Sequence, residues 1–453
     1  MSRDALAPPA ARAYTAAALL FPALFGGLLG LTLVKFGNPV ILGALLDLPQ
    51  DPLEWVIFAW PVSLAYGLLL GVALVGGLTI PWRAVRWHLL AALPLVWLGW
   101  QGLAALTSVD PPLTRQALPQ FAATVGCFYL GYTGLRSERS VAAFWTGLLT
   151  GFVVVLAAGW EQHWGGLAET RRQFFLYMYP QMKEVPPELL KRMTSNRIFA
   201  TLFYPNTLAG VILLVLPGGL GFLWSLRGRL TTGARGFLLG ALALGALACL
   251  VWSGSKAGWL LLLGLGLVAL QRAPLPKARR LAIVGAVLVA GLSGFLWRYA
   301  TFFQKGATSV SARFDYWQAA TTTAAQHPWL GSGPGTFGVM YKAIKRPESE
   351  MARLVHNDYL QQASDSGVPG FLAYAGFVAL ALARARPRPG TPADGLAWAV
   401  WLGLLGWGAQ SLFEFGLYIP GVAWPAFALL GWLLARAGNR IDNPAAAGSV
   451  RAG

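Results

Sequence analysis

Long apolar runs recur from near the start of this chain to near its end, and they limit the possible folds more than any other feature. A run of about 20 apolar residues is long enough to cross the roughly 30 Å hydrocarbon core of a bilayer as a helix. In lipid every backbone N–H and C=O must be satisfied within the structure, so runs of this length imply helices. The apolar residues come in runs rather than at a period of two or three. Composition agrees: 56% of residues are hydrophobic and 12% charged, against about 25% charged in soluble domains. The expected fold is an all-α integral membrane protein with about twelve transmembrane helices. The expected spans are 14–34, 54–78, 86–107, 115–135, 140–160, 198–226, 235–253, 256–271, 281–299, 367–384, 394–413 and 418–436. Gly and Pro are frequent inside them, as membrane helices tolerate. No internal repeat is evident.

The basic residues orient the bundle. With the N-terminus in the cytoplasm, nineteen Lys and Arg fall on the cytoplasmic side, among them Arg83, Arg86, Arg136, Arg139, Arg227, Arg229 and Arg436. Three fall in the short outer loops, namely Lys35, Arg115 and Lys256. Cytoplasmic loops carry the excess of positive charge, so both termini are expected inside and the span number even. The same topology accounts for most of the formal net charge of +17, and no nucleic-acid partner is expected despite it. The first run is long and no small-residue cleavage site ends it, so it is expected to stay as a helix. Cys127 and Cys249 both lie inside apolar runs and read as packing residues.

The chain divides accordingly. Residues 1–160 hold five spans, 161–197 a first long periplasmic loop, 198–299 four spans, 300–366 a second long periplasmic loop, 367–436 three spans and 437–453 a cytoplasmic tail. Both loops read as carrying short helices. One is 186–194, opened by Pro186-Pro187, and the other is 311–326, ended by His327-Pro328.

The second loop holds most of the candidate chemistry. His356 is surrounded by polar side chains at the mouth of a span. An imidazole, with an ordinary pKa near 6.5, suits proton transfer at neutral pH. Arg313 is a permanent cation whose forked donors match phosphate oxygens. Lys256 follows Ser253-Gly254-Ser255 at an outer helix start, where the helix dipole also favours anions. Arg197 stands at the outer start of another expected span. Three cations and a histidine near one membrane surface could hold a lipid pyrophosphate and deprotonate a hydroxyl beside it. Taken singly, each has a plainer reading, since Lys and Arg at span ends often reach to lipid headgroups. Gly331-Ser332-Gly333-Pro334-Gly335 reads as a turn, because no Gly-Lys-Ser/Thr follows to make a phosphate loop. The acids offer no metal-ligand spacing, and neither metal nor cofactor is expected.

These pieces together resemble the O-antigen ligase and polymerase superfamily of bacterial envelope enzymes. In order they are Arg197, Tyr204-Pro205-Asn206-Thr207-Leu208-Ala209, Ser253-Gly254-Ser255-Lys256-Ala257-Gly258-Trp259, Arg313-Phe314-Asp315-Tyr316-Trp317, the turn from Pro328 to Phe337, His356-Asn357-Asp358-Tyr359-Leu360, and Gly367. The resemblance implies a GT-C-like membrane glycosyltransferase that works without a metal. Its donor would be a glycan on undecaprenyl pyrophosphate, and its acceptor a lipid A core in a ligase or another carrier-linked glycan in a polymerase. It implies pyrophosphate binding by Arg313, Lys256 and Arg197, and acceptor activation by His356. Asn357, Asp358, Tyr359 and Asp365 are expected to orient that histidine or bind sugar. The family usually has Arg where this chain has Lys256, and lysine lacks the bidentate fork. The expected location is the bacterial inner membrane with a periplasmic site. A transporter is the alternative of a different class, since some relatives carry a bicarbonate-transport name. Transporters favour midplane charges and repeated halves, and neither is evident here.

Overall fold

In a computed structural model of the protein, residues 9–42, 46–181, 185, 190, 193–304, 308–387 and 395–441 are described. Among them every regular element is helical. The principal helices are α1 (Pro9–Lys35), α2 (Val62–Thr79), α3 (Leu93–Ala105), α4 (Pro111–Gly134), α5 (Glu138–Glu161), α6 (Pro205–Ser225) and α7 (Thr232–Ser253). They continue with α8 (Lys256–Leu270), α9 (Lys277–Gln304), α10 (Thr308–Gln326), α11 (Phe337–Ile344), α12 (Asp358–Ala385), α13 (Gly395–Gln410) and α14 (Pro420–Ile441).

The helix starts follow the local chemistry. Asp110 accepts from Leu113 N at 3.1 Å, with Pro111 and Pro112 in the first turn of α4. Ser137 and Ser140 cap α5 reciprocally, and Ser255 accepts from Gly258 N at the start of α8. Each such bond satisfies one of the amides that a helix start leaves without an internal partner.

Among the described residues, eight helical segments are long and apolar enough to cross a membrane. They include Ala18–Lys35, Val62–Thr79, Pro205–Gly228, Thr232–Ser253, Lys277–Gln304, Asp358–Ala385 and Pro420–Gly438. The chain is therefore a multi-pass helical membrane protein. Two shorter apolar helical segments, Leu89–Ala105 and Lys256–Leu270, fall on two further expected spans. The stretches 115–135 and 394–413 coincide with α4 and α13. α13 is only 16 residues long, and the first half of α4 carries Thr114, Arg115, Gln116 and Gln120.

The helices pack through small residues. Gly26 and Gly30 on α1 meet the backbone of α5 near Phe144, Gly147 and Gly151, and a side chain at Gly151 would run into the Gly30 carbonyl. With lipid outside, helices gain nothing from burying oil against oil, and close backbone approach supplies the attraction. Elsewhere the core is filled by large buried rings, including Trp97, Trp145, Trp407 and Trp424. By contrast α9 exposes Leu281, Val289, Leu296 and Trp297, a face suited to acyl chains.

Three boundaries depart from the sequence reading, each for a physical reason. The span expected from 198 begins only at Pro205, because Phe203 takes a left-handed backbone (φ 52°) after a single turn over Ala200–Leu202. The helix expected from 367 begins at Asp358 and is broken inside at Ser366 and Gly367. Gly367 has φ 71°, and a side chain there would strike the Trp329 carbonyl. Past Glu161, α5 kinks at Trp164 and Gly165 and runs on in helical turns, so the first long loop begins as a helix. The short helix expected at 186–194 falls largely outside the described residues, whereas the one expected at 311–326 is α10.

The α1–α5 packing makes a prediction. Gly151→Leu forces the two backbones apart and should destabilise the protein by about 1–3 kcal/mol. A thermal unfolding midpoint in detergent unchanged from wild type would contradict this account of the interface.

Candidate functional site

The second loop folds back on the helix ends. Its turn at Gly331, Gly333 and Gly335, all with positive φ, is tied to α12 by Ser332 N to Ser364 O (3.0 Å) and Gly333 N to Asp365 O (2.9 Å). Asp365 Oδ2 completes the latch by accepting from Gly335 N and Gln361 Nε2, both at 2.8 Å, and from Tyr418 OH at 3.1 Å. Asp358 is fully buried; its amide donates to Ser411 O at 2.8 Å and its Oδ2 accepts from Leu417 N at 3.1 Å. Asn357 caps α12 by accepting from the amides of Tyr359 and Leu360, both at 3.0 Å. The Tyr359 hydroxyl donates to Gly408 O on α13 at 2.8 Å. Asp358 and Asp365 thereby hold α12 against the segment between α13 and α14, Tyr359 ties it to α13, and Asn357 closes its first turn.

That segment delivers Glu414, which sequence reasoning passed over. Its carboxylate is buried and lies where four segments meet. Oε1 accepts from Arg313 Nη2 at 2.7 Å and from Asn206 Nδ2 at 2.5 Å. The other oxygen, Oε2, faces His356 Nδ1 at 3.4 Å. Arg197 joins through Asn206, with Nη2 donating to Asn206 Oδ1 at 2.8 Å and Nε to Ser253 O at 2.6 Å. Arg313 is held further by Phe413 O (3.2 Å) and Ser309 O (3.0 Å). A cavity of about 20 Å³ opens behind the carboxylate, between Asn206, Gln410, Ser411 and Phe415.

His356 is placed by its backbone and by rings. Its φ of 54° is left-handed, uncommon for a non-glycine residue and a frequent mark of a constrained site. The imidazole packs over Tyr316 (5.8 Å between centroids, 27°) and edge-on to Phe415 (4.8 Å, 79°). Its side chain remains 17% accessible, so a substrate can reach it.

The electrostatics hold one acid among several cations. Burial by itself would raise the Glu414 carboxyl, but the Arg313 charge and the His356 and Asn206 bonds more than offset it and hold it below its ordinary value. Burial works against the charge on Arg313, and Glu414 reverses that, raising the guanidinium. Burial pulls Arg197 down, and the Arg313 charge adds to the effect. Lys256 sits at the first position of α8, its ammonium 3.9 Å from the Phe302 ring centroid and 5.1 Å from that of Tyr299. It lies in the field of Arg197, Arg313 and Arg298. The structure therefore brings Arg197, Arg313, His356 and Lys256 to one end of the bundle, while Asp358 and Asp365 bind backbone and structural side chains nearby.

Donor counts show which cations have capacity left. A guanidinium carries five N–H donors. Arg313 uses three of them on Phe413 O, Ser309 O and Glu414, and Arg197 uses two on Ser253 O and Asn206. Among the described residues these bonds leave N–H groups on both guanidiniums, which together with the Lys256 ammonium can meet an anion.

Residues 241–375 match the family model described as O-antigen ligase. That stretch holds the Lys256, Arg313 and His356 segments and the Gly367 break, and over it the chain is similar to the O-antigen ligase and polymerase superfamily. Arg197, Asn206 and Glu414 lie outside it. The match supports an O-antigen ligase or polymerase type of function, that of a glycosyltransferase-like bacterial membrane enzyme acting on lipid-linked glycans. No curated protein matches the chain.

The one sign of Glu414 in the sequence is an isolated acid in the short stretch Ser411-Leu412-Phe413-Glu414-Phe415, between two apolar runs. Its depressed pKa fixes a pH dependence. The unfolded carboxyl titrates near 4.3, so Glu414 stabilises the fold fully above that value. The contribution is lost as pH falls through the lower folded value. Thermal midpoints of wild type should fall below about pH 4, and in Glu414→Gln that part of the fall should vanish along with some neutral-pH stability. Identical acid limbs in the two proteins would rule out the buried pair as described.

Proposed function

We propose that this protein transfers a glycan from an undecaprenyl-pyrophosphate carrier to an acceptor hydroxyl at the periplasmic face of the bacterial inner membrane. It would act as an inverting, metal-independent, GT-C-like glycosyltransferase of the ligase type, within a bundle of twelve spans whose termini lie in the cytoplasm. The observation that carries the reading is the Glu414 carboxylate, which holds a histidine on one oxygen and a cation on the other.

The chemistry follows from that junction. Glu414 holds the His356 Nδ1–H, so the imidazole keeps its Nε2 lone pair for the acceptor and its later positive charge is stabilised. The acceptor oxygen attacks the anomeric carbon, the bond from that carbon to the phosphate oxygen breaks, and the hydroxyl proton passes to His356 Nε2. Such base assistance is worth about 10²–10⁴-fold. The departing pyrophosphate gathers negative charge, which Lys256 and the remaining donors of Arg197 and Arg313 stabilise more strongly in the transition state than before it. As a compact point charge, Lys256 serves here without the fork that arginine would bring, because the two guanidiniums beside it already supply planar donors. Asn357, Asp358, Tyr359 and Asp365 act as positioning residues, holding the start of α12 so that His356 keeps its backbone.

Purified protein with a carrier-linked glycan and either a lipid A core or a second carrier-linked glycan should release undecaprenyl pyrophosphate. Elongation of the carrier-linked glycan in place of lipid A modification would make the protein a polymerase. His356→Ala should lower turnover by about 10²-fold or more, and Lys256→Ala should lower it while Lys256→Arg retains it. Full turnover by His356→Ala would remove the base assignment, and no release with any acceptor would remove the transferase reading.

A further inference from the structure

A second concave site lies at the far end of the same helices. From Pro420, beside Glu414, to Arg436, α14 runs roughly 24 Å at 1.5 Å per residue, so the two sites belong to opposite membrane surfaces. The bias of basic residues in the loops assigns this far end to the cytoplasm. A cavity of about 280 Å³ opens there, lined by Val85, Arg86, Tyr132, Arg136, Trp432 and Arg436. Its three arginines come from three elements, the 80–92 connection, the end of α4 and the end of α14.

The site is built, not a chance gathering of long side chains. The Tyr132 hydroxyl donates to Arg86 O at 2.6 Å and accepts from His88 N at 3.2 Å, which pins the connection onto α4. Trp87 stacks on the Tyr132 ring at 5.5 Å and 16°, and His88 is wedged against α14 at Gly438. Arg86 is thereby fixed at the cavity wall. The Glu138 charge reaches Arg436 and offsets part of the positive field. Arg86, Arg136 and Arg436 thus bring three guanidiniums to one cavity wall. In the same 80–92 connection, Trp82, Trp87 and Leu89 are exposed, at 48%, 58% and 90%. An indole belt with an exposed leucine suits a site at the headgroup boundary. Arginines at cytoplasmic span ends commonly reach to water singly; three lining one concave pocket beside an apolar rim match how cytoplasmic-leaflet phosphates are held between helices.

We propose that this cavity binds the phosphate headgroup of an anionic glycerophospholipid from the cytoplasmic leaflet, with the acyl chains lying along Leu89 and the neighbouring helix faces. This role is separate from the transfer chemistry and does not rest on it.

The test uses the full chain in detergent. Dioleoylphosphatidylglycerol should raise the thermal unfolding midpoint saturably, dioleoylphosphatidylcholine should not, and inorganic phosphate should not substitute. Native mass spectrometry should show retained phosphatidylglycerol. In the double variant Arg86→Gln/Arg136→Gln, two exposed positions whose change should spare the fold, the apparent affinity should drop by about thirtyfold. Equal shifts with both lipids, an unchanged response in the double variant, or inorganic phosphate reproducing the effect would each overturn the proposal. If the double variant does not fold, Arg136→Gln alone should weaken the lipid response about fivefold, and an unchanged response would count against it in the same way.

Discussion

A carboxylate buried at the end of a membrane bundle must be paired, and the requirement to pair Glu414 organises the whole functional end of this protein. Removing a charge from water costs several kcal/mol unless partners replace the solvent. Here the partners come from distant parts of the chain. Arg313 lies 101 residues before Glu414, Asn206 lies 208 before it and His356 lies 58 before it. Satisfying one acid therefore brings the start of α6, the first turns of α10, the segment leading into α12 and the α13–α14 connection to one point. Arg197 is added through the other end of the Asn206 amide.

The bundle makes this possible by being stiff where it meets the site. Close backbone approach at Gly26, Gly30, Gly147 and Gly151 locks α1 to α5. Gln120 inside α4 donates to Leu417 O at 3.0 Å and accepts from Trp424 Nε1 at 3.1 Å, so α4 holds the same connection that carries Glu414. Asp365 and Tyr418 hold it from the α12 side. The left-handed backbone of His356 persists because its neighbours on both sides are fixed, and the imidazole is held facing a carboxylate that is itself fixed.

The two ends of the molecule both gather cations around an acid, by different means. At one end the buried Glu414 carboxylate is shared among Arg313, Asn206 and His356. At the other, arginines from three elements line a cavity, and Trp82 and Trp87 are exposed on one of those elements. The fold gathers Arg86, Arg136 and Arg436 from separate elements into one concave site.

Much of the architecture was legible in the sequence because hydropathy is local. A run of apolar residues needs no knowledge of the rest of the chain to become a helix in lipid, and all twelve expected stretches fall on helices, eight of them long and apolar enough to span. Helix ends were less legible: Phe203, Gly367 and Gly165 break or delay helices through backbone conformations that depend on what packs against them. Among candidate residues, Lys256, His356 and Arg197 were visible as polar groups at span mouths, and Arg313 as a cation within the second long loop. Asp358 and Asp365 looked equally available, and only the packed structure shows that backbone amides and neighbouring side chains occupy them. Glu414 was one unremarked acid in a short connection. From its sequence alone the chain reads as a multi-pass helical membrane protein with its candidate groups in the connections between spans, because span formation is a local balance of transfer energy and backbone bonding. Only the tertiary structure decided that His356 and Arg313 share one carboxylate, because that pairing depends on which helix ends are packed side by side.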